Sequence, residues 1–215
     1  MADIEFFLDP VCPWAWITSR FVTEVSEQTD LDVAWRFISL RMVNEDKDYG
    51  KEFPPRYPML HGMGTSMLRV LAAARGEGGN DAVARLYTEF GVRMHVQGGS
   101  VKLWNGEDPG DLVTPSLADA GLPVGLATAA GDESWDEVLR AETDIALSRT
   151  GKDLGTPIIT FDTARPDETS LFGPVINRIP RGQEAVDLWS ALLVVACTPG
   201  LAELKRSLRG EIDFS

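Results

Sequence analysis

The residue best suited to chemistry in this sequence is the thiol of Cys12. It follows a Phe-rich apolar run and precedes Pro13, which suits the first residue of a helix because its missing N–H costs nothing there. A thiol at a helix N-cap faces unpaired backbone N–H groups and the positive end of the helix dipole. We therefore expect the pKa of Cys12 to fall from its ordinary value of roughly 8.5 to roughly 6. The alternative is a small buried apolar residue, which is how most free cysteines behave.

Position 15 limits what this thiol can do. A C-x-x-C redox motif needs a cysteine there, whereas the segment reads Cys12-Pro13-Trp14-Ala15. An external thiol must therefore resolve an oxidised or conjugated Cys12, unless Cys197 reaches it. Because Cys197 follows the apolar residues 192–195, we expect it to be a core residue. The residues favour a centre with a single working thiol.

Composition excludes several other classes of site. With 33 acidic and 20 basic residues, the net charge of −13 opposes binding to nucleic acid or to an anionic membrane surface. Two cysteines and two histidines are too few for a disulfide framework, and they give little support to a metal site. There is no basic segment followed by an apolar run at the start, and no membrane-length apolar stretch. We expect a cytoplasmic protein with no nucleic-acid partner, no membrane partner and no metal.

Apolar periodicity predicts the elements that position the thiol. Residues Ile4 to Leu8 suit a buried strand, and helical spacing then continues from Pro13 to Gln28, which places Cys12 at the helix N-cap. Apolar and polar residues alternate over 31–37, as in a half-buried strand. A β-α-β unit is therefore complete by residue 40.

The remaining chain is predicted to insert helices and then complete the same unit. Helical patterns run from Pro54 to Gly151, with Ser134 and Glu137 spaced as a capping box. The later predicted elements are strands at Ile158–Phe161 and Ser170–Phe172, a helix from Gln183 through Val195 and a short helix after Pro199-Gly200. We expect an α/β fold in which residues 1–50 and 152–215 form one domain, and 51–151 form a helical insertion or lid domain.

Several motifs resemble the mycothiol-dependent nitroreductase family of actinobacteria, within the DsbA-like branch of the thioredoxin superfamily. The matching segments are Phe7-x-Asp9-Pro10-x-Cys12-Pro13-Trp14, Ile17-Thr18-Ser19-Arg20, Ser116-Leu117-Ala118-Asp119-Ala120-Gly121-Leu122-Pro123, Gly155-Thr156-Pro157, Phe172-Gly173-Pro174-Val175 and Ile179-Pro180-Arg181-Gly182. They span nearly the whole chain. The family members that carry this pattern have a second cysteine where this chain has Ala15, so the dithiol mechanism does not carry over.

The resemblance implies a thioredoxin fold (β-α-β … β-β-α) with a helical lid, a nucleophilic Cys12, and mycothiol as a co-substrate with no tightly bound cofactor. It implies that Pro13 and Trp14 shape the pocket beside the sulfur, and that His95 and Asn44 line it. It also implies that Thr156 precedes a cis-proline, Pro157, which faces the cysteine.

These assignments have plainer alternatives. Without the resemblance, His95 is a satisfied structural histidine, Asn44 is a turn residue, and a cis bond at Pro157 is an uncommon event. His61 matches no family motif, and we expect it at the surface. Gly residues that punctuate the helical region suit ordinary helix ends as well as hinges.

The sequence thus predicts a thiol-disulfide oxidoreductase that acts through Cys12 on disulfides or on small electrophiles such as nitro compounds. Its partners would be a low-molecular-weight thiol and a small-molecule or disulfide substrate, and the protein would be a monomer or homodimer. Two alternatives remain. One is an enzyme similar to kappa-class glutathione transferases and hydroxychromene-carboxylate isomerases, which typically have serine at the position of Cys12. The other is a thioredoxin-fold binding protein without catalysis.

Overall fold

A four-stranded mixed sheet forms the centre of the molecule. A computed structural model describes residues 2–161 and 168–214 of the chain. The strands are β1 (Ile4–Leu8), β2 (Val33–Phe37), β3 (Ile158–Phe161) and β4 (Thr169–Phe172), in the order β2-β1-β3-β4. β1 is parallel to β2 and antiparallel to β3, and β3 is antiparallel to β4. Because β1 pairs on both sides, its Phe6, Phe7 and Leu8 are fully buried.

Helices surround this sheet and fill the chain between β2 and β3. They are α1 (Pro13–Gln28), α2 (Leu40–Val43), α3 (Tyr49–Glu52), α4 (Tyr57–Gly91), a π-helix (Val92–Val96), α5 (Gly99–Asn105), α6 (Val113–Asp119), 3₁₀ turns at Val124–Gly131 and Glu133–Trp135, α7 (Asp136–Thr150) and α8 (Gln183–Ala196). The order β-α-β, helices, β-β-α is the α/β arrangement that the sequence predicted. The domain division at residues 50/51 and 151/152 stays a prediction. Among the described residues, no helix is both long and apolar enough to cross a bilayer.

The long helix α4 connects the inserted helices to the sheet and to α1. It breaks at Gly78 and Gly79, where Gly79 has a φ of +66°. Directly after the break, Asn80 Oδ1 accepts the N–H of Trp35 at 2.8 Å and its Nδ2 donates to the Val33 carbonyl at 2.8 Å. These bonds satisfy the outer edge of β2, which would otherwise expose unpaired backbone groups.

The contact between α4 and α1 depends on Gly91. A Cβ at this position would lie 2.0 Å from the ring of Trp16, so only glycine lets the helix approach this closely. The Trp16 ring also meets the Tyr87 ring edge-on, with centroids 5.9 Å apart. α1, which carries Cys12 at its start, is thereby fixed against the inserted helices.

Three predictions about the helices and the end of the chain are wrong. Cys197 is exposed, because α8 buries chiefly Ala185, Trp189 and Ala196 and the chain passes beyond the core after them. The predicted capping box is not used: the carboxylate of Asp132 accepts the N–H of Ser134, and α7 begins only at Asp136. No helix follows Pro199-Gly200 in the described residues 198–214.

Candidate thiol site

Cys12 lies where β1 ends and α1 begins. It is the N-cap of α1, with Pro13 in the first turn, as the sequence predicted. Its Sγ accepts the N–H of Ala15 at 3.4 Å, and its own N–H donates to the Asp9 carbonyl at 3.0 Å. The side chain is only 6% exposed. The thiol is therefore held at the start of the helix but closed off from solvent.

The loop before β3 faces this sulfur. The Thr156–Pro157 peptide bond is cis, as the resemblance implied. The Cys12 thiol donates to the Thr156 carbonyl at 3.4 Å. Thr156 is itself fixed because its hydroxyl donates to the Phe7 carbonyl at 2.6 Å. β1 thus positions both the thiol and the loop opposite it.

Burial shifts the pKa of Cys12 in the direction opposite to the one expected from the helix start. Removal from solvent raises the pKa of the thiol to about 12, although the backbone N–H groups of Ala15 and Trp14 act in the opposite direction. The nearby carboxyl of Asp9 raises the pKa further, and the charge of Arg209 lowers it. The expectation of a resting thiolate is therefore wrong: the helix start does favour the thiolate, but the loss of hydration is larger. Burial therefore favours the protonated thiol.

Asp9 is a buried carboxyl that the sequence reading missed. Its Oδ1 accepts the N–H of Val11 at 3.1 Å and its Oδ2 accepts the N–H of Leu40 at 2.8 Å. Burial raises its pKa to about 7 despite these two hydrogen bonds. The available signal is an acidic residue between a buried strand and a helix N-cap, which the sequence analysis includes only as part of a family motif. Asp9 connects the Cys12 loop to α2.

His95 lies in the inserted helices and is bonded to the loop that carries Cys12. Its Nε2 lies 3.0 Å from the carbonyl oxygen of Pro10, two residues before Cys12, and donates to it. The imidazole stacks with the rings of Trp16 and Phe214. Burial lowers its pKa to about 4, so the ring is neutral at physiological pH. His95 is thus a satisfied buried histidine that is also bonded to the thiol loop.

Two other predicted residues, Trp14 and Asn44, differ in their surroundings. Trp14 is half-buried beside Cys12, and the guanidinium of Arg209 lies 5.3 Å from its ring centroid. Asn44 is buried as the C-cap of α2, where its Nδ2 donates to the Leu40 carbonyl at 2.7 Å. The structure therefore brings Cys12, Trp14 and Thr156 together, and it engages the amide of Asn44 within α2.

His61 is buried rather than exposed, which corrects the surface prediction. Its Nδ1 lies 2.8 Å from the hydroxyl oxygen of Tyr49, and the ring is only 4% exposed. Aromatic side chains of α3 and α4 enclose it, with Tyr57 at 5.1 Å between centroids. The sequence around His61 matches no motif, so it did not indicate this aromatic packing.

Comparisons with known proteins identify the family of this chain. The sequence model of one family, "Rv2466c-like: Mycothiol-dependent nitroreductase Rv2466c", matches residues 11–206. The "Uncharacterized protein Rv2286c" of Mycobacterium tuberculosis (strain ATCC 25618 / H37Rv) is 30% identical over 208 residues, which cover 96% of this chain and 82% of the relative.

Solved structures show the fold. The probable DsbA oxidoreductase SCO1869 from Streptomyces coelicolor superimposes with a TM-score of 0.53 at 15% identity, covering 94% of this chain and 99% of that one. The cytosolic disulfide reductase DsbM from Pseudomonas aeruginosa with GSH superimposes with a TM-score of 0.52 at 16% identity, covering 88% and 98%. The fold is that of DsbA-like thioredoxin-fold proteins. Since the family match includes Cys12 and extends over most of the sequence, the chain belongs to the Rv2466c-like family of mycothiol-dependent nitroreductases.

Proposed function

We propose that the protein is a monothiol thiol-disulfide oxidoreductase that uses a low-molecular-weight thiol of the mycothiol type as co-substrate. One observation carries this proposal: Cys12 caps α1 against the Thr156–Pro157 loop, while Ala15 occupies the place where a resolving cysteine would lie. A thiolate at this position attacks disulfides but has no partner on its own helix. A second molecule must complete the exchange.

The exchange has two balanced steps. The Cys12 thiolate attacks one sulfur of a substrate disulfide, an S–S bond forms to Cys12, the substrate S–S bond breaks, and one thiolate leaves. The external thiol then attacks the mixed disulfide, which releases the Cys12 thiolate and forms a new disulfide between the external thiol and the substrate fragment. One substrate sulfur is thereby reduced to a thiol, the other stays in the new disulfide, and the sulfur of the external thiol is oxidised. The N–H of Ala15 stabilises the Cys12 thiolate when it leaves.

Residues around the sulfur would hold the thiol conjugate. The Thr156 carbonyl, which accepts from the Cys12 thiol at 3.4 Å, becomes free to accept a substrate N–H once the thiol is deprotonated. Pro13 and Trp14 would form the side of the pocket nearest the sulfur. His95, bonded to the Pro10 carbonyl, would close the opposite side, and Asn44 would support the pocket through α2.

The identity of the co-substrate is supported by the family description, which names mycothiol. One structural neighbour is described with GSH, which is also a low-molecular-weight thiol. This chemistry needs no tightly bound cofactor, and it suits a reducing cytoplasm in which such thiols are abundant. A small, neutral or weakly charged substrate suits the acidic surface.

Nitro reduction is the second candidate, favoured by the same family description. A nitro group is reduced to a nitroso group when two thiols supply two electrons and two protons, with a disulfide and water as the other products. Cys12 would take part as one of the two thiols, with mycothiol as the other, and the disulfide exchange described above would regenerate it.

The test is steady-state reduction of hydroxyethyl disulfide, and separately of a nitroaromatic compound, with mycothiol as the sole reductant. We expect turnover by the wild type and by Cys197→Ser, whose exposed thiol lies outside the site. We expect Cys12→Ser to fall to the uncatalysed rate while its melting temperature is unchanged. Turnover by Cys12→Ser at the wild-type rate would refute the proposal. Equal rates with glutathione and mycothiol would refute the mycothiol preference alone.

A further inference from the structure

The last described residues of the chain contact two side chains that neighbour the Cys12 loop. We name residues 209–214 the C-terminal strap. At one end, the Arg209 guanidinium lies 5.3 Å from the Trp14 ring centroid. At the other end, the Phe214 ring stacks on His95, with centroids 5.7 Å apart and planes 24° from parallel. The strap therefore contacts both α1 and the inserted helices.

The middle of the C-terminal strap is hydrogen-bonded to the segment after β4. The N–H of Asp213 donates to the Asn177 carbonyl at 2.7 Å, and Asn177 Nδ2 donates to the Glu211 carbonyl at 3.0 Å. Ile212 and Phe214 are half-buried and pack on the main core, while the residues between and before them are exposed. This alternation is that of an extended chain with one face turned inward.

Both ends of the strap contact side chains next to the Cys12 loop. Trp14 lies two residues after Cys12 in the sequence. His95 is bonded to the carbonyl of Pro10, which lies two residues before Cys12. Arg209 is the cation whose charge acts on the Cys12 thiol. The thiol is 6% exposed, whereas a mixed disulfide requires a second sulfur at about 2.05 Å. A substrate sulfur therefore cannot reach Cys12 unless neighbouring groups move.

We infer that the C-terminal strap is a gate that shields Cys12 when closed and must leave the groove between Trp14 and His95 before a thiol or disulfide can bind. The inference rests on the proposed function in taking Cys12 as the reacting group. Hydrogen bonds at Asp213 and Glu211 and the half-buried Ile212 and Phe214 attach the strap, while its other residues are exposed, so we expect it to open locally more often than the whole protein unfolds. Opening restores water to the sulfur and removes the burial that keeps it protonated.

The gate is tested by the rate at which iodoacetamide alkylates Cys12, in a Cys197→Ser background where Cys12 is the sole thiol. Phe214→Ala removes the ring stacked on His95, and Asn177→Ala removes the hydrogen bond to Glu211. The observed rate is proportional to the open population when closing is fast. We expect each variant to react at least about tenfold faster, the ratio that corresponds to ~1.4 kcal/mol.

The control is Leu208→Ala, an apolar residue just before the strap whose side chain is 94% exposed. Its alkylation rate should equal that of the background. All rates are repeated in urea up to about 1 M, where local opening is nearly unaffected because it exposes little surface. Wild-type rates in both Phe214→Ala and Asn177→Ala would overturn the gate, as would an acceleration that grows with urea as steeply as global unfolding. Iodoacetamide alkylation needs no disulfide exchange. The test of the gate is therefore independent of whether the proposed catalysis occurs.

Discussion

Burial and the helix N-terminus act on the Cys12 thiol in opposite directions. The structure shows burial to be the larger effect, since the pKa rises to about 12. The sequence indicated only the helix start, because Pro13 and the apolar periodicity after it can be recognised without the structure. Thr156, which accepts from the thiol, and Arg209, whose charge acts on it, are distant from Cys12 along the chain, so the sequence could not reveal how deeply the sulfur lies.

This balance predicts the pH dependence of Cys12 reactivity. In a Cys197→Ser background, we expect the logarithm of the iodoacetamide alkylation rate to rise linearly with pH up to about 9, with no plateau, because only the thiolate reacts and its fraction grows tenfold per pH unit below the pKa. The measurement is a series of rate constants from pH 5 to pH 9. A plateau beginning near pH 6 would show a resting thiolate instead.

Ala15 determines how the mixed disulfide is resolved. The N–H of Ala15 is 3.4 Å from the Cys12 sulfur, and residues three apart in the first helical turn have the Cα separation that a disulfide needs. We therefore expect Ala15→Cys to form an internal disulfide on oxidation, with loss of two hydrogens in the intact mass. Ala15→Ser is the matched control and should keep the external adduct. A persistent adduct in Ala15→Cys would contradict this geometry.

At the scale of elements, hydrophobic periodicity was sufficient to predict β1, α1 and the β-β-α ending, because each buries a regular face. Periodicity failed where side chains, rather than a buried stripe, determine the local structure. Asp132 sets the turn before α7, and the segment after Gly200, where a helix was predicted, is exposed over residues 202–211 and forms no helix. The cis bond at Pro157 was predicted from the family resemblance alone, since nothing local distinguishes it from other X-Pro bonds.

The packing of α1 on α4 makes Gly91 a sensitive position. In Gly91→Ala the new methyl would meet the Trp16 ring at 2.0 Å, so the helices must separate. We expect a loss of roughly 1–3 kcal/mol in the free energy of unfolding, measured by urea titration. Gly62→Ala, on the same helix with nothing within 4 Å of its added methyl, should be neutral or slightly stabilising. Equal effects of the two changes would contradict the close approach of α1 and α4.

For the whole molecule, buried carboxyl and imidazole groups give the stability opposing pH dependences. Asp9 has a folded pKa of about 7 against 3.8 for the free group, so the folded state holds an extra proton and its stabilisation is lost as pH rises from about 4 to 7. His61 and His95 each have a folded pKa of about 4 against 6.5, so the folded state holds fewer protons and stability is gained over a similar range.

Removing the Asp9 carboxyl should leave the pH dependence that the histidines contribute. We expect the unfolding free energy of Asp9→Asn to rise with pH from 5 to 6.5 more steeply than that of the wild type, by up to ~1.4 kcal/mol per pH unit. Urea unfolding at pH 5, 5.75 and 6.5 measures both slopes. Parallel slopes would mean that Asp9 does not hold a proton in the folded protein.

The central claim is that Cys12 is a monothiol exchange centre, and intact-mass spectrometry tests it most directly. Reduced protein is exposed to mycothiol disulfide, with Cys12→Ser and Cys197→Ser in parallel. The account predicts one adduct of mycothiol mass in the wild type and in Cys197→Ser, absent from Cys12→Ser and removed by free mycothiol. No adduct on Cys12 in the wild type and in the strap variant Phe214→Ala would contradict the account.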